Sequence, residues 1–214
     1  MMRLVAIVLL LCSCGGPPKT TVLAPPAVPS CPSGMVEIAG GSFRMRVRGD
    51  DVTVKTFCLD RLEVRVASYE ECVAKDGCAN DHPGRVMVLG DAAVDPACNV
   101  GKPDRKNHPM NCVDHAQADH FCKSRGARLP HEEEWEWAAR GGTKGTRYPW
   151  GAAAPDTMIC WSGVSVRSGT CEVGAHEGDS PLGVRDLIGN VWEWSRSWNE
   201  ASARTTSLGF RCAR

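Results

Sequence analysis

The chain has 214 residues whose 25 basic and 25 acidic side chains cancel formally at neutral pH. With no net positive field and no basic stripe, nucleic acid is excluded as an expected partner. Twelve cysteines are many for this length, and seven tryptophans stand out against two tyrosines and four phenylalanines.

The first element is an export signal. Met1-Met2-Arg3 and an apolar run over residues 4–11 lead into Leu11-Cys12-Ser13-Cys14-Gly15. One early positive charge, a short apolar core and small residues at the break predict a cleaved signal over residues 1–13. The run is too short to span a bilayer as a mature helix. The L-x-S-C break resembles a bacterial lipobox, whose cysteine is acylated, so Cys14 is expected to become a lipidated, palmitate-bearing N-terminus. No acidic residue follows Cys14. In Gram-negative lipoproteins this implies an outer-membrane anchor facing the periplasm or the cell surface. Residues 14–33 then form a tether, with five prolines between positions 15 and 30 and no apolar periodicity. Residues 34–214 are expected to be one soluble domain, long enough to bury a single core.

Once Cys12 leaves with the signal and Cys14 takes lipid, ten cysteines remain: 31, 58, 72, 78, 98, 112, 122, 160, 171 and 212. An even count in an exported chain argues for disulfides. The absence of any C-x-x-C pair and the wide, irregular spacings argue against zinc.

Residues 35–45 alternate apolar and polar, interrupted by Gly40-Gly41 read as a turn, and residues 52–59 alternate similarly. Two short strands are predicted. A helix follows from Val66, with Tyr69, Cys72 and Val73 on one face and Gly77 as a left-handed cap. Residues 79–108 are polar and are expected to form a long ordered loop pinned by Cys78 and Cys98. A second helix runs over residues 114–125, with Asp114 as N-cap and His115, Ala118, Phe121 and Cys122 on one face. Among the six histidines no metal constellation exists: His131-Glu132 begins like H-E-x-x-H, but position 135 is Trp.

Two Trp-rich stretches organise the remainder. The first is Arg128-Leu129-Pro130-His131-Glu132-Glu133-Glu134-Trp135-Glu136-Trp137-Ala138-Ala139-Arg140-Gly141-Gly142, and the second is Gly189-Asn190-Val191-Trp192-Glu193-Trp194. Each indole N–H needs a partner when buried, and the neighbouring Glu and Asn are candidates. Together with Phe57-Cys58-Leu59-Asp60-Arg61-Leu62-Glu63-Val64, Asn111-Cys112-Val113-Asp114, Tyr148-Pro149-Trp150-Gly151 and Leu208-Gly209-Phe210-Arg211, these stretches resemble the formylglycine-generating enzyme, or sulfatase-modifying factor, family across residues 34–214. At the helix start the family has Thr where this chain has His131, so the capping box is expected to be lost, leaving Glu132, Glu133 and Glu134 to favour the positive helix end.

The resemblance implies an α+β domain, a variant of the C-type lectin fold with short strands, few helices, much ordered coil and disulfide staples. It implies a Cys122–Cys212 bridge. It also implies a structural calcium ion at the carboxylates of Asp186 and Glu193 and the main-chain carbonyls of Gly189 and Val191, oxygen ligands suited to a hard cation. A second family calcium loop near residues 158–171 is expected to be stapled instead by Cys160 and Cys171. Cys58–Cys112 is a further expected pair, since each residue sits in a predicted strand, and Cys72–Cys78 is another. Enzymes of the family oxidise a substrate cysteine on copper held by two cysteines beyond an R-G-G-S motif. Here residues 195–208 contain neither that motif nor any cysteine. Copper is therefore not expected, because Ser and Thr do not replace thiolates for Cu(I). The expected function is a non-catalytic binding or scaffold module for an envelope protein or glycan. The alternatives are a formylglycine-generating oxidase and a truncated copy without a role.

Overall fold

The computed structural model describes residues 31–46, 48–80, 85–88, 91–155, 158–160, 169–176, 178, 180–197 and 204–214, with residues 85–88 and 91–94 as backbone only. The expected signal, Cys14 and the expected tether up to residue 30 lie outside the described residues.

From residue 35 the chain forms a ribbon of four short strands in two antiparallel pairs, rather than two strands. β1 (Met35–Ile38) pairs with β4 (Phe57–Asp60), and β2 (Gly41–Arg44) pairs with β3 (Asp51–Val54). Gly40-Gly41 is therefore not a turn; the chain reverses where Met45 donates to Asp50 O at 2.8 Å. The glycines serve close approach instead. A Cβ on Gly40 would lie 2.4 Å from Val54 O, and one on Gly41 2.7 Å from the Trp137 ring. Only glycine lets the ribbon cross its partner there and accept the indole.

Helix α1 (Val66–Ala74) buries Val66 and Tyr69, and Tyr69 stacks on Phe121 of the second helix at 5.7 Å between centroids. The left-handed residue at its end is Asp76 (φ 54°), not Gly77. Gly77 instead lies close to the Cys72–Cys78 bridge: a Cβ there would meet Cys72 Sγ at 3.2 Å, so the sulfur would have to give by a few tenths of an ångström. The predicted long loop contains a hairpin, β5 (Arg85–Val88) against β6 (Asp91–Val94), and a 3₁₀ turn at Pro103–Arg105.

Helix α2 (His115–Ser124) starts as expected. Asp114 accepts from Gln117 N at 2.8 Å and the Gln117 side chain accepts from Asp114 N at 3.1 Å. Helix α3 (Glu132–Ala139) keeps more of its cap than predicted, because Glu134 Oε2 accepts from His131 N at 2.8 Å. The main-chain amide does not depend on which side chain sits at position 131. A parallel pair, β7 (Trp192–Glu193) and β8 (Leu208–Gly209), leads into the last residues.

That C-terminal segment forms the seam of the molecule. Cys58 and Arg214 exchange main-chain hydrogen bonds (2.9 and 2.8 Å), Asp60 N donates to Cys212 O (2.8 Å), and Ala213 exchanges two with Arg128 (2.7 and 2.9 Å). It thus runs between β4 and the approach to α3. Phe210 and Cys212 enter one apolar cluster with Tyr69, Val113, Phe121, Leu129 and Trp194. Ala213 enters a second with Ile38, Val54, Phe57, Leu59, Trp137 and Leu187.

Five disulfides staple this small-sheet α+β domain. Cys122 is bonded to Cys212, Cys160 to Cys171 and Cys72 to Cys78. Cys58 and Cys112 are not bonded to each other: Cys58 takes Cys31, and Cys112 takes Cys98. Cys58 does lie in a strand, but Cys112 sits in a left-handed turn (φ 61°) directed at the loop before it. Cys78 and Cys98 consequently anchor the two ends of the polar loop to α1 and to residue 112 separately. Among the described residues no helix is long and apolar enough to cross a membrane.

Candidate functional site

The Gly189–Trp194 turn and the C-terminal seam meet at a buried charge centre. Arg211, with no exposed surface, places Nε and Nη2 on Glu193 Oε1 at 2.9 and 2.6 Å and Nε on Oε2 at 2.8 Å. Trp135 Nε1 from α3 donates to the same Oε2 at 2.8 Å. The three remaining guanidinium hydrogens reach Asp60 O (3.1 Å), Arg61 O (3.4 Å) and Arg185 O (2.8 Å). Burial works against the Arg211 charge, but Glu193 and the other nearby carboxylates outweigh it and the pKa moves up. A paired and fully bonded guanidinium is the form in which a charge is tolerated at this depth.

Two more carboxylates crowd the same centre. Glu63 accepts from Asn190 Nδ2 at 2.6 Å and is 2 % exposed. Its pKa is raised well above the ordinary carboxylate value, first by burial and then by Glu193 and Asp186, with Arg211 and Asn190 opposing. Asp186, at positive φ (55°), accepts from Gly174 N at 2.5 Å, and burial raises its pKa. Three buried carboxylates against one guanidinium leave surplus negative charge, which a proton on Glu63 or a bound cation would offset.

The residues expected to hold calcium do share this turn, but Glu193 is committed: both its oxygens accept from Arg211, and one also from Trp135. What is left to suit a hard cation is Asp186 with the carbonyls of Gly189 and Val191, and Glu193 only at the expense of its bonds to Arg211.

The other motif residues are mainly structural. Arg128 grips Glu134 bidentately at 2.7 and 2.6 Å. Leu129 is fully buried. Pro130 O accepts from Arg196 N at 2.9 Å. Glu136 Oε1 accepts from Arg46 N (2.8 Å) and Arg140 (3.1 Å). Asn190 joins three segments, accepting from Cys171 N at 3.0 Å through Oδ1, donating its own N–H to Cys160 O at 2.9 Å, and donating from Nδ2 to Glu63. The indoles mostly find main-chain carbonyls instead of the neighbouring Glu and Asn: Trp137 donates to Ala39 O (2.9 Å) and Trp194 to Val113 O (3.0 Å). Trp192, 71 % exposed, is the one exposed large apolar residue among those described. Sequence reasoning quoted Glu63 and Arg211 inside motifs but assigned them no chemistry. For Arg211 the available signal is a charge at the end of the apolar stretch Leu208-Gly209-Phe210, whereas Glu63 shares its stretch with Asp60 and Arg61 and is not marked out.

Beside this centre, with Glu63 in its wall, a cleft of about 790 Å³ opens between the β4–α1 connection, α1 and α2. Arg61, Arg65 and Lys75 line it with Glu71, and Arg125 lines it while holding Asp60 at 3.0 and 3.1 Å. Its walls mix these charges with the apolar side chains of Leu62, Val64 and Phe121.

Three comparisons place this geometry among known proteins. The family model described as sulfatase-modifying factor enzyme 1-like domain matches residues 20–214. The bovine (Bos taurus) protein named inactive C-alpha-formylglycine-generating enzyme 2 is 31% identical over 217 residues, covering 78% of this chain and 72% of that one. The formylglycine-generating enzyme of Thermomonospora curvata is 29% identical over 225 residues, covering 81% and 74%. Among solved structures, PvdO from Pseudomonas aeruginosa shares the fold with a TM-score of 0.60 at 21% identity, over 84% of this chain and 93% of that chain. CarF does so with 0.61 at 19%, over 84% and 97%.

Proposed function

The chain belongs to the sulfatase-modifying factor family, and we propose that within it this chain is an exported, lipid-anchored module that binds or scaffolds an envelope partner and does not oxidise protein cysteine. The observation that carries this reading is the thiol inventory. All ten cysteines from Cys31 to Cys212 are spent in five disulfides, and residues 195–208 contain no cysteine. Copper chemistry on a substrate thiol needs soft thiolate ligands that Ser and Thr do not supply. Relatives bearing inactive and active names lie at 31% and 29% identity, so kinship by itself favours neither outcome.

A role-less, unravelled copy is disfavoured by the seam: Phe210, Arg211, Cys212 and Ala213 are all completely buried. The five disulfides fit an oxidising compartment outside the cytoplasm. The partner, a protein or a glycan, would be taken in the charged cleft or at Trp192, where an exposed ring offers contact area at little entropic cost.

Purified protein incubated with copper, oxygen and a peptide bearing C-x-P-x-R is expected to yield no aldehyde by mass spectrometry, and turnover would overturn the reading. Lipid attachment is proposed at Cys14, and Cys14→Ser is expected to abolish labelling by an alkyne fatty acid in cells. A structural calcium ion at Asp186, Gly189 and Val191 is also proposed, supported by the surplus carboxylate charge. Chelation is then expected to lower the melting temperature of the wild type and not of Asp186→Asn; an unchanged wild-type melt would remove calcium from the proposal.

A further inference from the structure

One disulfide differs from the rest in its company. Cys160, Cys171 and His176 each offer a ligand atom, and the three atoms lie within 4.8 Å of one another. It is the one such grouping of three His, Cys, Asp or Glu side chains among the described residues. Ligand bonds of about 2.0–2.3 Å to one ion put ligand atoms roughly 3.3–3.8 Å apart, so opening the S–S bond asks for only a small separation of the sulfurs.

Hydrogen bonds already hold both cysteines, and the chain just beyond His176, without the disulfide. Asn190 donates to Cys160 O at 2.9 Å and accepts from Cys171 N at 3.0 Å, so one side chain and its own amide clamp both cysteines. Gly178 N, two residues after His176, donates to Met158 O at 2.7 Å, two residues before Cys160. A Cβ on Gly178 would fall 2.4 Å from Met158 O, so these backbones touch. Asn190 is in turn held by Glu63. A pair fixed this way stays together when reduced, whereas a bridge that is the sole link between two loops would spring apart.

We propose that Cys160, Cys171 and His176 form a redox-gated site for a soft d10 cation, Cu(I) or Zn(II). In the oxidised chain the pair is a staple. A dithiol reductant transfers two electrons and two protons to the Cys160–Cys171 bond, giving two thiols while the reductant becomes its own disulfide. Metal entry then displaces the two thiol protons, leaving two thiolates and the His176 imidazole on the ion. Two thiolates and one imidazole select soft or borderline cations over calcium or magnesium. Cys160 is buried while Cys171 and His176 are half-buried, so a reductant has a side from which to approach. This site is separate from the missing copper pair of the family, and because it exists only after reduction it leaves untouched the thiol inventory of the oxidised chain on which the function proposed above rests.

The test uses the full chain under graded dithiol, with isotopic alkylation and peptide mapping to find the concentration at which Cys160 and Cys171 are the reduced pair. Cu(I) and, separately, Zn(II) are then titrated against a chromophoric chelator, with wild type, His176→Gln and Cys160→Ser/Cys171→Ser compared. One equivalent is expected to bind the reduced wild type and none the oxidised chain. The double variant is expected to lose that equivalent. His176→Gln, which keeps the disulfide and so the fold, is expected to weaken it at least about tenfold, since even partners outside the ligand shell change metal affinity by 10–100-fold. Binding of equal stoichiometry and affinity in wild type and His176→Gln would overturn the proposal, as would no binding by chains mapped as reduced at both cysteines.

Discussion

The C-terminal seam and the polar segment that ends at Cys112 solve the same problem of fixing coil-rich backbone by opposite means. In the seam, residues 210–213 are completely buried, a guanidinium and a carboxylate are matched in the interior, and the single bridge Cys122–Cys212 spans 90 residues of sequence. In the polar segment, Asn99 and Asn111 replace the apolar core. Asn111 Oδ1 accepts from Asn99 N at 2.8 Å, and Asn111 Nδ2 donates to Thr206 O at 2.7 Å and Ala97 O at 3.2 Å. There the bridges are short, Cys98–Cys112 over 14 residues and Cys72–Cys78 over 6. A long bridge constrains the unfolded chain as a whole, while a short one with buried amides orders only its neighbourhood.

The largest effect is expected from replacing Cys122 and Cys212 together by Ala. A bridge across 90 residues removes chain entropy worth about 4–5 kcal/mol, read by chemical denaturation. Close behind is Arg211→Met, which strands Glu193 uncompensated in the interior at a cost of about 3–5 kcal/mol. Adding Glu193→Leu to that variant is expected to recover much of the loss, and failure to recover would mean that the pair matters for its hydrogen bonds and not for charge balance. Replacing Cys98 and Cys112 by Ala is expected to cost about 3 kcal/mol in the same model. Hydrogen exchange should then rise over residues 97–112 and stay slow at 210–214; a larger loss here than at Cys122–Cys212 would break the distinction between the two regions.

The smallest effect sharpens the view of the buried centre. Glu63 has a folded-state pKa above its unfolded value, so in the metal-free chain the folded state keeps a proton that the unfolded chain has already released. Stability is therefore expected to fall as pH rises from the ordinary carboxylate range through the raised pKa, by at most about 1.4 kcal/mol per pH unit. Glu63→Gln is expected to flatten that slope in a melting series. An unchanged slope would mean that Asp186, raised in the same direction by burial, carries the dependence.

Local features were legible in the amino-acid order because they depend on a few consecutive residues: the Asp114 cap, the helix over residues 115–124, the alternation of the ribbon, and the Trp-rich motifs that mark the family and with it the α+β fold. The same order misread Gly40-Gly41, since glycines needed for a turn and glycines needed beneath another strand's carbonyl or an indole look alike along the chain. It also paired Cys58 with Cys112, because strand periodicity says nothing about which sulfur a turn will face. The partners of the indoles, the Arg211–Glu193 pair and the surplus charge on Glu63 were decided only by tertiary structure. Glu63 and Asn190 are 127 residues apart, and Trp135 and Glu193 are 58 apart. Hydrogen bonds and ion pairs form between groups that packing brings together, and packing is a property of the whole chain, whereas periodicity and capping are settled within one or two turns of it.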